Sequence, residues 1–132
     1  MTRISAALML SLALLAGPAL AEDAGEATPT PAQLAEQNLA IALSVQEQLL
    51  GCWSLPRGYE DRSISVRLAF LGDGTLDGDP YIEPDSLRTA GKYPVLMQSI
   101  AEAIAACLPF AGLDALGAGP GERFDITVHF SS

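Results

Sequence analysis

The chain has no apolar run long enough to cross a membrane, a single histidine, two cysteines and few basic residues. Each shortage removes a class of function. The longest apolar stretch, from Ile4 to Leu15, is about 12 residues, where a spanning helix needs roughly 20. His129 has no cysteine or second histidine near it in sequence, so a transition-metal site is not expected. No Gly-x-Ser-x-Gly run marks a nucleophilic serine, and the cysteines have a better use than catalysis. Seven Lys+Arg stand against sixteen Asp+Glu, a net charge of −9, which disfavours nucleic acid and anionic lipid as partners. The inventory predicts no catalytic residues, no cofactor and no metal: the chain is not expected to be an enzyme.

What is present begins with an export signal. Arg3 supplies a positive start, the apolar stretch follows, and Ala19-Leu20-Ala21 is a small-x-small cleavage site, so residues 1–21 read as a cleaved signal peptide. No cysteine follows closely enough to carry a lipid. The remaining 111 residues, from Glu22, lose Arg3 and hold six Lys+Arg against sixteen Asp+Glu, a balance of −10. The expected location is the periplasm, without membrane insertion. Residues 22–31, with two Thr-Pro steps and nothing large to bury, read as a disordered leader to one domain over residues 32–132.

Two matched stretches frame that domain: Cys52-Trp53-Ser54-Leu55-Pro56 and Cys107-Leu108-Pro109-Phe110. Each sets a cysteine at the end of an apolar helical pattern, with a proline beyond that stops the helix. In an exported chain with only these two cysteines, a Cys52–Cys107 disulfide is the economical expectation. Trp53 is expected to cover it.

Residues 32–50 show helical periodicity through Leu34, Ile41, Val45 and Leu49, with Gly51 as a stop. Cys52 then shares their apolar side. Residues 63–71 alternate strictly, with Ile64, Val66, Leu68 and Phe70 on one face, and Gly72-Asp73-Gly74 forms a hairpin turn. A second strand over residues 75–83 is weakened by Asp77, Gly78, Asp79 and Pro80, which predict a bulged edge. Residues 84–91 read as a connection. A second helix from Lys92 or Tyr93 to Cys107 carries Pro94 in its first turn and buries Leu96, Ile100 and Ile104. Residues 111–122 are Gly-rich and expected to be flexible. Phe124, Ile126, Val128 and Phe130 alternate with Asp125, Thr127 and His129 in a last strand. The order α-β-β-α-β predicts an α+β fold, a three-stranded antiparallel sheet with two helices on one face.

Asp73, Asp77, Asp79 and Glu83 raise the question of calcium, but their spacing does not follow an EF-hand loop. Acidic turn and edge residues that deter aggregation are the preferred reading. His129 falls on the wetter face of its strand, beside Asp125 and Thr127.

The cysteine–tryptophan pair after a helix, the alternating strand, the Asp-Gly turn, the helix ending Ala-Ala-Cys-x-Pro-Phe and the final Phe-Asp-Ile-x-Val-x-Phe strand resemble the TolA C-terminal domain, within the wider TonB/TolA C-terminal-like fold. The resemblance runs from Leu34 to Phe130. It implies a cell-envelope module that binds TolB-like, Pal-like or outer-membrane transporter partners through an exposed sheet edge. With a cleavable signal and a short leader, such a chain lacks that family's anchor and spacer, so binding is implied and energy transduction is not. The first strand should be central, because its alternation is cleanest and it lacks Pro and Gly. The candidate binding edge is then the last strand: Phe124, Asp125, Ile126, Thr127, Val128, His129 and Phe130. A periplasmic inhibitor or chaperone-like factor, using the helical face or the Gly-rich loop, is the alternative.

Overall fold

The computed structural model describes residues 28–132. The expected signal peptide, residues 1–21, and most of the expected leader lie outside the described residues. The folded body is the compact unit of residues 31–132.

Helix α1 spans Pro31–Cys52. Proline suits its first position, where the missing N–H would have no partner. Ile41, Val45 and Leu49 are buried as their spacing predicts. Leu34 and Cys52 are exposed, although they fall on the same side of the wheel. Leu34 lies in the first turn of the helix and Cys52 is its last residue. Gly51 does not end α1, which continues to the cysteine.

Strand β1, Ile64–Leu71, pairs with β3, Arg123–Phe130, in eight consecutive antiparallel pairs from Ile64↔Phe130 to Leu71↔Arg123. The sheet order is β2-β1-β3. The expected second strand shrinks to β2, Tyr81–Ile82, plus a single bridge between Phe70 and Leu76. From Phe70↔Leu76 to Arg67↔Tyr81, three steps along β1 face five along its partner, so two residues bulge out. Asp77, Gly78, Asp79 and Pro80 fill that interval, where a proline without an N–H breaks no ladder.

A short helix, α2 (Leu87–Lys92), interrupts what the sequence reads as a plain connection, and α3 (Pro94–Cys107) follows it. The α2 segment lacks the length for a visible apolar stripe, and only Ala90 buries. Buried Ser86 sits just before it and its hydroxyl accepts the Ser65 N–H at 2.8 Å, tying α2 to β1. Leu108 beyond α3 is extended, as the residue before a proline must be.

The core fills the space between the even-numbered face of the sheet and the helices. At its hairpin end Phe70 is stacked on Phe124 (centroids 5.7 Å apart) and edge-on to Phe110 (5.5 Å). Trp53 packs edge-on to Phe130 at 5.4 Å, and its Nε1–H donates to the Ser99 hydroxyl at 2.9 Å. Residues 111–122 are anchored in place of the expected flexibility. Leu113 and Ala118 are buried, and Asp114–Leu116 forms one turn of 3-10 helix. The hairpin tip presses on this loop: a Cβ at Gly72 would collide with the Gly119 carbonyl, and one at Gly74 (φ 91°) with the Phe110 backbone.

Cys52 and Cys107 form the disulfide, with Cα atoms 5.9 Å apart and a sequence separation of 55. Beside it, the Gln48 amide donates to the Ala111 carbonyl at 2.8 Å and accepts the Ala111 N–H at 2.9 Å. The bond and this two-way clamp fix the end of α1 to the end of α3.

Two outcomes follow. Replacing both cysteines by serine should lower stability by about 4 kcal/mol on the chain-entropy estimate, read by urea denaturation; the oxidised parent should show no free thiol to an alkylating reagent. Gly58 and Gly74 both have positive φ, but only Gly74 lacks room for a Cβ. Gly58→Ala should cost about 1–2 kcal/mol, and Gly74→Ala distinctly more in the same assay.

Candidate functional site

β3 is an edge strand, and the bonds of β1 determine which of its groups are free. The Asp77 N–H donates to the Ala69 carbonyl (2.8 Å) and the Glu83 N–H to the Ser65 carbonyl (2.9 Å). Odd-numbered residues of β1 therefore turn their backbone groups toward β2. Even-numbered ones turn toward β3, where they oppose Phe130, Val128, Ile126 and Phe124. It follows that the N–H and C=O groups of Asp125, Thr127 and His129 point away from β1, to a side where no strand pairs among the described residues. All seven residues of the predicted edge lie in one strand. They divide into a core-facing set, Phe124, Ile126, Val128 and Phe130, and an outward set that carries the open backbone. Ile126 is the one core-facing member left distinctly half-buried. With Asn38 of α1, residues Arg123, Phe124, Asp125 and Ile126 line a shallow groove of about 140 Å³ along this edge.

The outer face of the sheet holds a chain of charges. Arg123 Nε meets Asp77 Oδ2 at 2.7 Å and its Nη1 lies 3.8 Å from Asp125 Oδ2. Asp125 continues to Arg67 (3.7 Å), and Arg67 to Glu83 (3.3 Å), which accepts the Thr127 hydroxyl at 3.1 Å. These groups are mostly half exposed, so each pair contributes at most about 1 kcal/mol. Their effect is to offset the charges of Asp77, Glu83 and Asp125 on the sheet that bears them. His129 Nδ1 lies 2.7 Å from the hydroxyl of Ser65, its cross-strand neighbour.

Three of the four acids weighed for calcium are held in other bonds, Asp77 to Arg123, Glu83 to Arg67 and Thr127, and Asp73 to Thr75, and Asp79 is exposed in the bulge. Among the described residues no three His, Cys, Asp or Glu converge as a cation site. A larger cleft of about 360 Å³ opens where the hairpin tip meets the Gly-rich loop, with Phe110, Leu113 and Ala118 inside and Asp73 and Asp114 at its rim. No local pattern signals it, because it forms only when the Gly72 and Gly74 turns close on residues distant in the chain.

The fold and this edge define the class: a disulfide-linked α+β domain with an open-edged three-stranded sheet. Residues 35–132 match the family model described as Uncharacterised conserved protein UCP034077, and the chain belongs to that family. No curated protein and no solved structure matches it. The family match overturns the resemblance to the TolA C-terminal domain. Cysteines at two helix ends and an alternating last strand follow from packing any small cross-linked α+β domain, so they do not separate one such family from another.

Asp73 is held below its usual value of 3.8, first by the Thr75 hydroxyl at 2.6 Å and then by the Thr75 N–H at 3.0 Å. A carboxylate with a depressed folded pKa stabilises the fold above its unfolded pKa and loses that contribution as pH falls through the folded one. Thr75→Val should raise the Asp73 pKa in an NMR titration. The stability gap between the parent and Asp73→Asn should be present above about pH 4 and close as the pH drops below the folded pKa.

Proposed function

We propose that the chain is an exported, non-catalytic protein-binding module of the cell envelope, acting in the periplasm after removal of residues 1–21, and that its partner adds a strand to β3. One observation carries this reading: the outward backbone groups of Asp125, Thr127 and His129 lie on an unpaired edge of a strand eight residues long. Strand addition draws its affinity from such groups and its specificity from alternate side-chain sites. The opposite edge is unsuited to it, because β2 is two residues long and its approach is bulged. The disulfide is compatible with export, and among the described residues no helix is long and apolar enough to cross a membrane.

The cleft at the hairpin tip supports a second reading, in which the module is an inhibitor or chaperone-like factor that receives a partner's side chain between Asp73 and Asp114. The two readings use different faces. A photo-crosslinking residue at His129 and another at Asp114, each introduced in the intact exported chain, should separate them. Adducts from position 129, with amide protection at residues 123–130 in the purified complex, are expected. Adducts from position 114 alone, with protection in the loop and none along β3, would sink strand addition.

A further inference from the structure

The side of α1 that overhangs the β3 edge is apolar. Leu39, Leu43 and Leu50 are 61%, 54% and 37% exposed. Their spacings of four and seven residues place them on one stripe of the helix, about 140° round it from the buried Ile41, Val45 and Leu49. Contacts around α1 orient that stripe. Gln37 lies beside Gly117, Gln48 clamps Ala111 and Cys52 joins Cys107, so this flank faces α3 and the loop behind it. Asn38 turns down to β3 in the edge groove. Glu36 and Glu47, both exposed, then point up from the sheet, and the leucines look sideways, out over the open edge.

We propose that this leucine row is the upper wall of the strand-addition site, and that its occupant is an extended segment of a different polypeptide, with apolar residues at every second position and basic residues beside them. The inference rests on the strand-addition reading and specifies its partner. An added strand on β3 would send alternate side chains up toward the helix layer, beside Ile126 and under Leu39, Leu43 and Leu50. The lengths agree. The row spans roughly 16 Å at helical rise, and three same-face residues of a strand span roughly 13 Å. Charge selects against an acidic segment: α1 contains no Lys or Arg, Glu36 and Glu47 flank the row, and the whole chain carries −9. A second folded copy fits poorly. Pairing β3 with β3 would draw two helices, each seated over its own strand, toward the strand spacing of about 4.8 Å, where packed helices need about 8–10 Å.

The test uses the full mature chain and a short synthetic peptide that alternates valine or isoleucine with lysine or threonine. A peptide of the same composition with its apolar residues clustered serves as control. The alternating peptide should shift the methyl signals of Leu39, Leu43 and Leu50, protect the amides of Asp125, Thr127 and His129, and bind more tightly than the control. Leu39→Glu and Leu43→Glu, both at exposed positions where the fold should survive, should each weaken it about tenfold. Amide protection at the edge with affinity unchanged in both variants would overturn the leucine wall and leave strand addition standing. Leucine shifts without edge protection, or no binding of the alternating peptide, would overturn the proposal. So would a dimer of the free chain that buries the row, or contacts from residues 22–27 that already fill it.

Discussion

The ladder between β1 and β3 is the constraint on which the rest depends. Its eight pairs join strands about sixty residues apart in sequence, so the chain must close a long loop before any pair is gained. Several features lower the cost of that closure or hold it once made. The disulfide closes an overlapping loop of 55 residues. Trp53, immediately after Cys52, packs on Phe130 at the far end of the ladder, and Phe110, shortly after Cys107, packs on Phe70 near the other end. The cross-link thus lies between two aromatic contacts that pin the ladder at both ends.

The hairpin tip is the second place where close approach governs the structure. Gly72 and Gly74 admit the backbones of Gly119 and Phe110 at distances no Cβ would tolerate. The Gly72 N–H donates to the Glu122 carbonyl at 2.7 Å, which carries the ladder one step past Arg123, and the Phe110 N–H donates to the Gly74 carbonyl at 2.9 Å. The same turn that reverses the chain also docks the Gly-rich loop, and the cleft between Asp73 and Asp114 is a by-product of that docking.

The sequence was most informative where pattern and burial coincide. Strict alternation marked β1 and β3 and their inner faces, and two cysteines at the ends of apolar helical patterns marked the cross-link. Pro80 and its acidic neighbours marked the weak strand, though not how far it would shrink. Other features depend on tertiary partners that no period reveals. Gln48 looks like one more polar residue on a polar flank until the Ala111 backbone is set opposite it. Leu113 and Ala118 lie in a segment rich in glycine, yet they are core residues because the hairpin tip covers them. The candidate edge was legible because it follows from strand order; the leucine row beside it was not, since a leucine in a helical stretch reads as core whichever way it faces. The family resemblance failed for a related reason, resting on features that many cross-linked α+β domains share.

The two edges of the sheet are built in opposite ways, and the difference bears on function. A free edge invites association with any passing strand, so proteins commonly shorten it, bulge it or charge it. The β2 edge has all three protections: two residues of strand, a two-residue bulge, and the exposed Asp79 within it. The β3 edge has eight regular residues, no proline and β-branched Ile126, Thr127 and Val128. Its charged residues lie on the outer face, where Asp125 is met by Arg67 and Arg123, so charge is largely cancelled where a repelling edge would leave it unpaired. Above it, α1 leaves three leucines in water that glutamates could have replaced at no cost to the core. Random surface leucines need no explanation; a row of them along the one unprotected edge has the form of a site from which water is to be displaced.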